Sequence, residues 1–324
     1  MFGLLAFILV GVRGGRAVEF SSTDAVFWND RIVVLKADGT FAVWKMPAGD
    51  ADKQTESGLR LNGVLHLACD RSRLWAATGT VLFSRDSAVN SWSKIAMSSE
   101  RDLPMLALLT VGESPLLVYQ SVVVDPISQK EFPVPKSEGQ IQTNVLRLLA
   151  SYGTEKMAWF GTGHGEWGGN LIGLDPSTGT WVQEADALHY VTGITSASAN
   201  QVLVSWSMSH MMADTRIRRH DSAAKSIQEW PELQQKYYQR IAYSRNDRAL
   251  YGIENESLVR IVEGRPIEIV KLPGKLFSPE RHAIGVAPGI RALIPVAPSV
   301  VVVVPNVGSL LRVDVANRIV IPLE

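Results

Sequence analysis

The sequence predicts an all-β fold made of seven repeated units, each with four antiparallel strands. Short apolar segments separated by turn residues run along the whole chain, and helix signals are few. Aspartates recur at one position of the repeat, and aligning the chain on them gives a mean spacing of about 46 residues. Self-similarity of this kind indicates one domain of stacked units.

The recurring aspartate precedes the last strand of each unit. The aligned residues are Asp38, Asp86, Asp125, Asp175, Asp221 and Asp314, with Val262 at the equivalent position of unit six. An aspartate can accept hydrogen bonds from the backbone of its own turn, so the position is interpreted as structural. Four strands in about 40 to 50 residues is the spacing of propeller blades. The sequence therefore predicts a seven-bladed β-propeller of four-stranded antiparallel blades, with six or eight blades as alternatives.

Within each unit, an apolar strand and a short polar turn come first, as in residues 65–73 and 240–247. Large rings follow at positions suited to packing between blades, because a twisted four-stranded sheet cannot bury both faces alone. We therefore expect structural roles for Trp44, Trp75, Trp159 and Trp181. The last unit differs from the others by its continuous apolar run at residues 299–304.

Composition excludes several classes of protein. The 324 residues include 32 Lys and Arg against 32 Asp and Glu, so the net charge is zero. A neutral chain lacks the electrostatic attraction that drives binding to nucleic acid or anionic membranes, and we expect no nucleic-acid partner. The single cysteine, Cys69, excludes an intrachain disulfide and a zinc site with two thiolates. A buried, inert thiol is favoured over a nucleophile.

The N-terminus suggests export. Residues 2–12 form an apolar run of the length of a signal-peptide core, and small residues follow at positions 15 and 17. This predicts a signal peptide over 1–17, a single propeller domain over 18–324 and a secreted or periplasmic protein. No basic residue precedes the run, so the alternatives are a strand of the fold and a cytoplasmic protein. Blade one should begin near residues 17–20, and a borrowed N-terminal strand could close the ring. The run at residues 2–12 is too short to span a membrane as a helix, and no other apolar run is long enough to do so.

One unit supports a comparison with known repeats. From Trp159 the sequence is Trp-Phe-Gly-Thr, followed after a loop by Gly-Leu-Asp-Pro-Ser-Thr-Gly-Thr-Trp, which ends at Trp181. This resembles the blades of bacterial sensor-type and kelch- or quinoprotein-like β-propellers, closely in this blade and as a pattern over most of the chain. The resemblance implies a fold and no activity. The chain lacks the repeated Trp-Asp and upstream Gly-His of WD40 repeats.

The candidate site is the glycine-rich loop at residues 161–170. In a propeller, such loops between the second and third strands line one end of the central channel. His164 and Glu166 could bind one divalent metal or act as a base with its orienting group, and Trp167 could stack on a sugar. The alternative is a long structural turn whose tryptophan fills the channel.

Other polar residues are expected near this loop. His210, in the corresponding loop of the next unit, could meet His164 across the channel end. Glu254 falls in the equivalent loop of unit six, and Asn29 and Asp30 are assigned to the equivalent loop of unit one. The candidate ligand-binding set consists of His164, Glu166, Trp167, His210 and Glu254.

Two main functions fit these features. The first is an exported, non-enzymatic module that binds a ligand, glycan or protein partner through the end of the channel that carries His164. The second is a propeller enzyme, a hydrolase or lyase acting on a carbohydrate or lactone, with a His/Glu or metal site. A purely structural assembly module is a third alternative. No nucleophile elbow of the Gly-x-Ser-x-Gly type occurs in the chain.

Overall fold

The computed structural model is a β-propeller of seven blades, each a sheet of four antiparallel strands. It confirms the predicted fold class and blade number. The structure describes residues 22–36, 38–46, 53–54, 61, 63–88, 91–97, 104–137, 145–164, 168–208, 214–222, 226–230, 236, 238–277 and 289–323. The predicted signal peptide and the expected start of blade one at residues 17–20 lie outside these ranges.

The strands are numbered β1–β28 in chain order. Blades 1 and 2 contain β1 (Ser22–Trp28), β2 (Arg31–Lys36), β3 (Phe41–Lys45), β4 (Lys53–Gln54), β5 (His66–Cys69), β6 (Arg73–Ala77), β7 (Val81–Asp86) and β8 (Trp92–Ala96). Blades 3 and 4 contain β9 (Met105–Val111), β10 (Ser114–Tyr119), β11 (Val122–Asp125), β12 (Lys130–Pro133), β13 (Leu148–Gly153), β14 (Ala158–Thr162), β15 (Gly169–Asp175) and β16 (Thr180–Asp186).

Blades 5 and 6 contain β17 (Tyr190–Ser196), β18 (Gln201–Met208), β19 (Asp214–Asp221), β20 (Ser226–Trp230), β21 (Tyr238–Ser244), β22 (Ala249–Glu254), β23 (Ser257–Val262) and β24 (Arg265–Lys271). Blade 7 contains β25 (Ile290–Ala297), β26 (Val300–Pro305), β27 (Leu310–Asp314) and β28 (Ile319–Leu323). A short 3₁₀ helix, Gly274–Phe277, follows blade 6. Among the described residues, no helix is long and apolar enough to cross a membrane.

The first strand of every blade lies at the centre of the ring. Neighbouring first strands contact one another in the order β1, β5, β9, β13, β17, β21 and β25, and β25 returns to β1. Each sheet uses four consecutive strands, so within the described residues blade 7 is completed without a strand borrowed from the N-terminus. The ring closes through apolar packing of β2 and β3 of blade 1 against blade 7.

The second strand of each blade is buried on both faces, which explains the apolar run of the last unit. In β26, Val301 and Val303 pack with residues of blade 6, whereas Val302 and Val304 pack with residues of blade 1. Because successive side chains of a strand point to opposite faces, a strand between two blades needs apolar residues at every position. The β25–β26 turn contains Ser299, which has a φ of 55°.

The predicted packing of the blade tryptophans is confirmed for three of them. Trp44, Trp75 and Trp159 are 2%, 1% and 6% exposed, respectively. Trp181 is partly buried, and its ring lies 6.2 Å from the ring of Phe160. Large rings therefore fill the spaces between blades, as expected from the repeat.

Four of the aligned aspartates accept backbone N–H groups of the turn before the fourth strand, as predicted: Asp86, Asp125, Asp175 and Asp314. Asp175, for example, accepts hydrogen bonds from the backbone N–H groups of Ser177 and Thr178 at 2.9 and 3.4 Å. Asp38 instead lies between β2 and β3, where it accepts a bond from the Thr40 N–H. It precedes the third strand of its blade, not the fourth.

The same shift of one strand affects Asn29 and Asp30. They form the β1–β2 turn, at the end of the propeller opposite to the loop of Glu254, so the predicted equivalence is wrong. Their φ values of 49° and 57° are typical of tight hairpin turns. Short polar turns of either kind produce the same sequence signal, which explains the misassignment.

Candidate functional site

The candidate site lies at one end of the propeller, here named the rim. The rim contains the connections between the second and third strands of each blade and the connections between blades, which fall at the same end of antiparallel sheets. His164 lies in the β14–β15 connection, and Glu254 ends β22, so both belong to the rim. Glu166, Trp167 and His210 lie outside the described residues.

His164, in the glycine-rich loop, is buried. Its side chain is 6% exposed, and its Nε2 lies 3.3 Å from Nδ2 of Asn170. Its backbone N–H donates to the Gly168 carbonyl at 2.7 Å and so closes the loop. Burial, followed by the charge of Arg147, lowers the pKa of His164, so the imidazole is neutral at neutral pH. Its Nδ1 has no partner among the described residues.

A neutral imidazole is the protonation state that a metal ligand or a general base requires. Within the described residues, however, no three His, Cys, Asp or Glu side chains are grouped as a metal site needs. The pairing of His164 with Glu166 as metal ligands stays a prediction.

Glycines of this loop allow close packing against neighbouring strands. Gly168 has a φ of +74°, and a Cβ on it would lie 1.9 Å from the Asp186 carbonyl oxygen. A Cβ on Gly163 would lie 2.4 Å from Cδ1 of Leu149, at the central channel. A side chain at position 168 would meet the backbone at the end of β16 and would need a left-handed φ, so glycine is required there. A side chain at position 163, by contrast, would have to displace the Leu149 side chain.

Glu254 forms an ion pair in another blade. Its Oε1 and Oε2 lie 2.8 and 3.0 Å from Nζ of Lys236. Both residues line a cavity of about 490 Å³ on blade 6, together with Glu256, Glu268 and Lys271. His164 and Glu254 therefore share the rim but lie in blades 4 and 6, with separate partners.

A network of charged side chains between blades 4 and 5 was not predicted as a site. We name it the blade 4–5 network: Glu184, Asp186, His189, Asp214, Arg218 and Glu229. His189 is 1% exposed, with Nδ1 2.9 Å from Asp186 Oδ1 and Nε2 2.9 Å from Asp214 Oδ2. It thus joins the last strand of blade 4 to the third strand of blade 5.

Arg218 is the second centre of the network. Its Nη1 lies 2.7 Å from Glu184 Oε1, its Nη2 3.2 Å from Asp186 Oδ2 and its Nε 3.1 Å from Glu229 Oε2. The guanidinium also lies over the Trp206 ring, 5.2 Å from its centroid. One cation therefore holds carboxylates from two blades, a geometry to which the planar guanidinium is suited.

The pKa shifts in this network have clear physical causes. The hydrogen bond to Asp186 outweighs burial and, with the bond to Asp214, raises the pKa of His189. Burial alone would raise the pKa of Asp186, but hydrogen bonds from the His189 ring and from the Leu188 and His189 backbone place it far below its usual value. Burial, then the charge of Arg218, lowers the pKa of His220 to about 4.

Chemically, the network holds blades together. Both ring nitrogens of His189 face carboxylates, so neither is left to activate a nucleophile. The signal in the sequence was an aspartate three residues before a histidine at a blade boundary, where Asp186 also accepts the His189 backbone N–H at 3.0 Å.

Cys69 lies on the channel wall as a thiol. Its Sγ lies 3.2 Å from the Phe27 carbonyl oxygen. Burial, followed by the charges of Asp70 and Asp24, raises the pKa of Cys69 to about 12. Because the thiolate is the reactive form, this supports the interpretation of an inert thiol.

A central channel of about 680 Å³ is bordered by the first strands of all seven blades. Its wall includes the charged or titratable residues Asp24, His66, Arg240 and Arg291, and the apolar residues Leu106, Leu148 and Leu149. Asp24 is engaged, since its two carboxylate oxygens accept the backbone N–H groups of Ala25 and Leu67. His66 lies beside it, with Nδ1 3.7 Å from Asp24 Oδ2.

Comparison with known proteins bears on the fold. No protein-family model and no curated protein matches the sequence. The Cps50 (Swd1) β-propeller domain of Myceliophteria thermophila is 15% identical with a TM-score of 0.60, and the match covers 91% of this chain and 94% of that one. U3-55K is 12% identical with a TM-score of 0.54, covering 89% of each chain. The computationally designed Ika8 protein is 14% identical with a TM-score of 0.54, covering 93% and 86%. At these identities, the similarity concerns the fold alone.

Proposed function

We propose that this protein is an exported, non-enzymatic β-propeller that binds a ligand, glycan or protein at the rim. The observation that carries the proposal is the channel of about 680 Å³ bordered by all seven blades. Its volume lies in the range of about 300–1,000 Å³ that is usual for ligand sites. Gly163, which directly precedes His164, packs on the channel residue Leu149.

The state of the described titratable groups favours binding over catalysis. His189 and Arg218 are held by carboxylates in the blade 4–5 network, and Glu254 is held by Lys236. A catalytic acid or base needs a proton that a substrate can reach. Groups whose hydrogen-bonding atoms are already used by the protein suit a rigid scaffold better.

Export and the division into a signal peptide over 1–17 and one domain over 18–324 belong to the same proposal. Support comes from the apolar run at residues 2–12 and the small residues that follow it. Mass spectrometry of the full chain expressed in a secreting host tests it. Cleavage after Ala17 is expected, and an intact N-terminus on protein retained in the cytoplasm would contradict export.

Binding at the rim is tested with a glycan array and the Trp167→Ala variant. The wild-type protein should bind a defined set of glycans, and loss of the stacking ring should weaken that binding about tenfold. Trp230→Ala, on the outermost strand of blade 5, is the matched control and should bind as the wild type does. Equal binding by wild type and Trp167→Ala would remove this tryptophan from the site. Failure of the wild type to bind any glycan would leave only small-ligand and protein partners.

The alternative is a propeller enzyme, a hydrolase or lyase acting on a carbohydrate or lactone, with His164 and Glu166 around a divalent metal. The neutral His164, whose Nδ1 has no partner in the part of the chain that the structure describes, favours this second candidate. A metal that binds only the folded protein raises its melting temperature. Melting curves with EDTA and a panel of divalent metals, for the wild type and for His164→Ala, separate the two functions. A metal-specific rise that the variant loses would favour the enzyme, and no rise in either protein would favour the binding module.

A further inference from the structure

The rim end of the channel, here named the channel mouth, is shaped by β-bulges. In six blades the pairing of the first and second strands shifts near the rim end of the first strand. The bulges include Leu106 of β9, Leu149 of β13, Arg240 of β21 and Arg291 of β25, and all four residues line the channel. A bulge re-aims a side chain that regular pairing would direct toward a neighbouring strand or blade.

Two sides of the channel mouth differ in chemistry. Leu106 and Leu149 belong to blades 3 and 4, and in a ring of seven these lie across the channel from blades 6 and 7, which supply Arg240 and Arg291. Leu149 is 43% exposed although it lies on the innermost strand of its blade. Ligand pockets combine an apolar lining with a few charged or polar groups, and the channel mouth has both.

Arg291 is the stronger of the two cationic positions. It is half-buried at the bulge between Ile290 and Ala292, and no hydrogen bond or ion pair engages its guanidinium in the part of the chain that the structure describes. The only acid on the channel wall among these residues, Asp24, uses both carboxylate oxygens on backbone N–H groups. A partly desolvated guanidinium without a carboxylate gains most from an anion that offers two oxygens.

We propose that the channel mouth binds a small organic carboxylate with an apolar tail, its carboxylate on Arg291 and Arg240 and its tail against Leu106 and Leu149. All four residues lie in bulges near the beginning of the first strand of their blades. The channel has room for a small molecule of this class. This inference goes beyond the proposed rim function, because it concerns the channel wall and does not depend on Trp167 or on glycan binding.

Isothermal titration of the full chain with octanoate, octanol and acetate tests the proposal. Octanoate carries both features, octanol lacks the charge and acetate lacks the tail. Octanoate should bind most tightly, and Arg291→Ala should weaken its binding about tenfold or more, since a charge-assisted bidentate contact is lost. Arg291→Lys should retain part of the affinity because it keeps the charge. Leu149→Ser should reduce the preference for octanoate over acetate.

The matched control is Arg265→Ala, which removes an exposed arginine from the outermost strand of blade 6 and should leave octanoate binding unchanged. Raising the salt from about 50 to about 500 mM should weaken octanoate binding to the wild type, a measurement that needs no variant. Equal affinity for octanol and octanoate would overturn the proposal, because the site would then be apolar only. Equal affinity for acetate and octanoate, or wild-type affinity in a folded Arg291→Ala protein, would overturn it as well. Loss of glycan binding in Trp167→Ala has no bearing on these outcomes.

Discussion

Replacing Trp159 by alanine is expected to lower the free energy of unfolding by about 3–5 kcal/mol, the usual cost of truncating a buried tryptophan. The ring is 6% exposed and belongs to the apolar cluster between blades 4 and 5, with Val191, Val204 and Trp206. Its truncation would leave a cavity that the rigid sheets on either side can fill only in part. The midpoint of urea unfolding, measured at constant pH, reports the change.

A matched control for this variant is Trp230→Ala. Trp230 ends the outermost strand β20 and is only partly buried, so its truncation should cost much less than that of Trp159. Trp159→Phe should recover part of the loss because a ring still fills the space. An unchanged urea midpoint in Trp159→Ala would contradict the packing role of this residue.

Removal of the His189 imidazole is the second change with a large expected effect. In His189→Ala, Asp186 and Asp214 each lose a contact of 2.9 Å to the ring, and Asp186 keeps its contact with Arg218. Breaking a buried ion pair from one side leaves a poorly solvated charge, and we expect a loss of about 3 kcal/mol at pH 6. Thermal or urea unfolding of both proteins measures it.

The pH dependence of this loss has a defined sign. The groups facing His189 are Asp186, Asp214 and Arg216, and the two carboxylates raise its folded pKa above the unfolded value despite the arginine. The stabilisation is therefore complete below the unfolded pKa of about 6.5 and disappears as the pH rises through the folded pKa. The difference in stability between wild type and His189→Ala should narrow as the pH rises above about 6.5.

His220→Ala provides the contrast for that measurement. Burial, then Arg218, holds the pKa of His220 at about 4, so the folded protein keeps this ring neutral while the unfolded chain protonates it below about pH 6.5. Its contribution grows as the pH rises from about 4 to about 6.5, so the difference in stability from wild type should widen over that range and stay level above it. A narrowing for both variants, or for neither, would contradict the assigned protonation states.

The fold could be predicted because its signal is local and repeated. Each blade has its own strands, turn and buried aromatic side chain. One well-defined unit, such as residues 158–181, therefore identifies the architecture, and the repetition of that unit gives the number of blades. The predicted alignment of blade 1 was wrong by one strand. Asp38 caps the turn between the second and third strands, which has the same residue types as the turn before a fourth strand. The placement of His164 and Glu254 at the rim followed from strand order alone.

The blade 4–5 network and the channel mouth could not be predicted in the same way. His189 and Asp214 are 25 residues apart, and Arg218 and Asp186 are 32 apart, so their contacts depend on how two blades stack. Arg291 lines the channel at a bulge, which shifts the alternation on which a sequence pattern relies. Both features depend on how strands are placed relative to one another. No periodic pattern in a single sequence reports that placement.

The valine run of β26 has a consequence for register. With valine at each position from 300 to 304, sliding the strand by one residue would exchange the faces toward blades 6 and 1 but would bury nearly the same surface. Burial therefore leaves the alignment of this strand ambiguous. The turn before it removes the ambiguity: Ser299 adopts a φ of 55°, and its N–H donates to Oδ1 of Asp247 in blade 6 at 2.9 Å. One polar contact between blades thus selects among alignments that hydrophobic packing treats as equivalent.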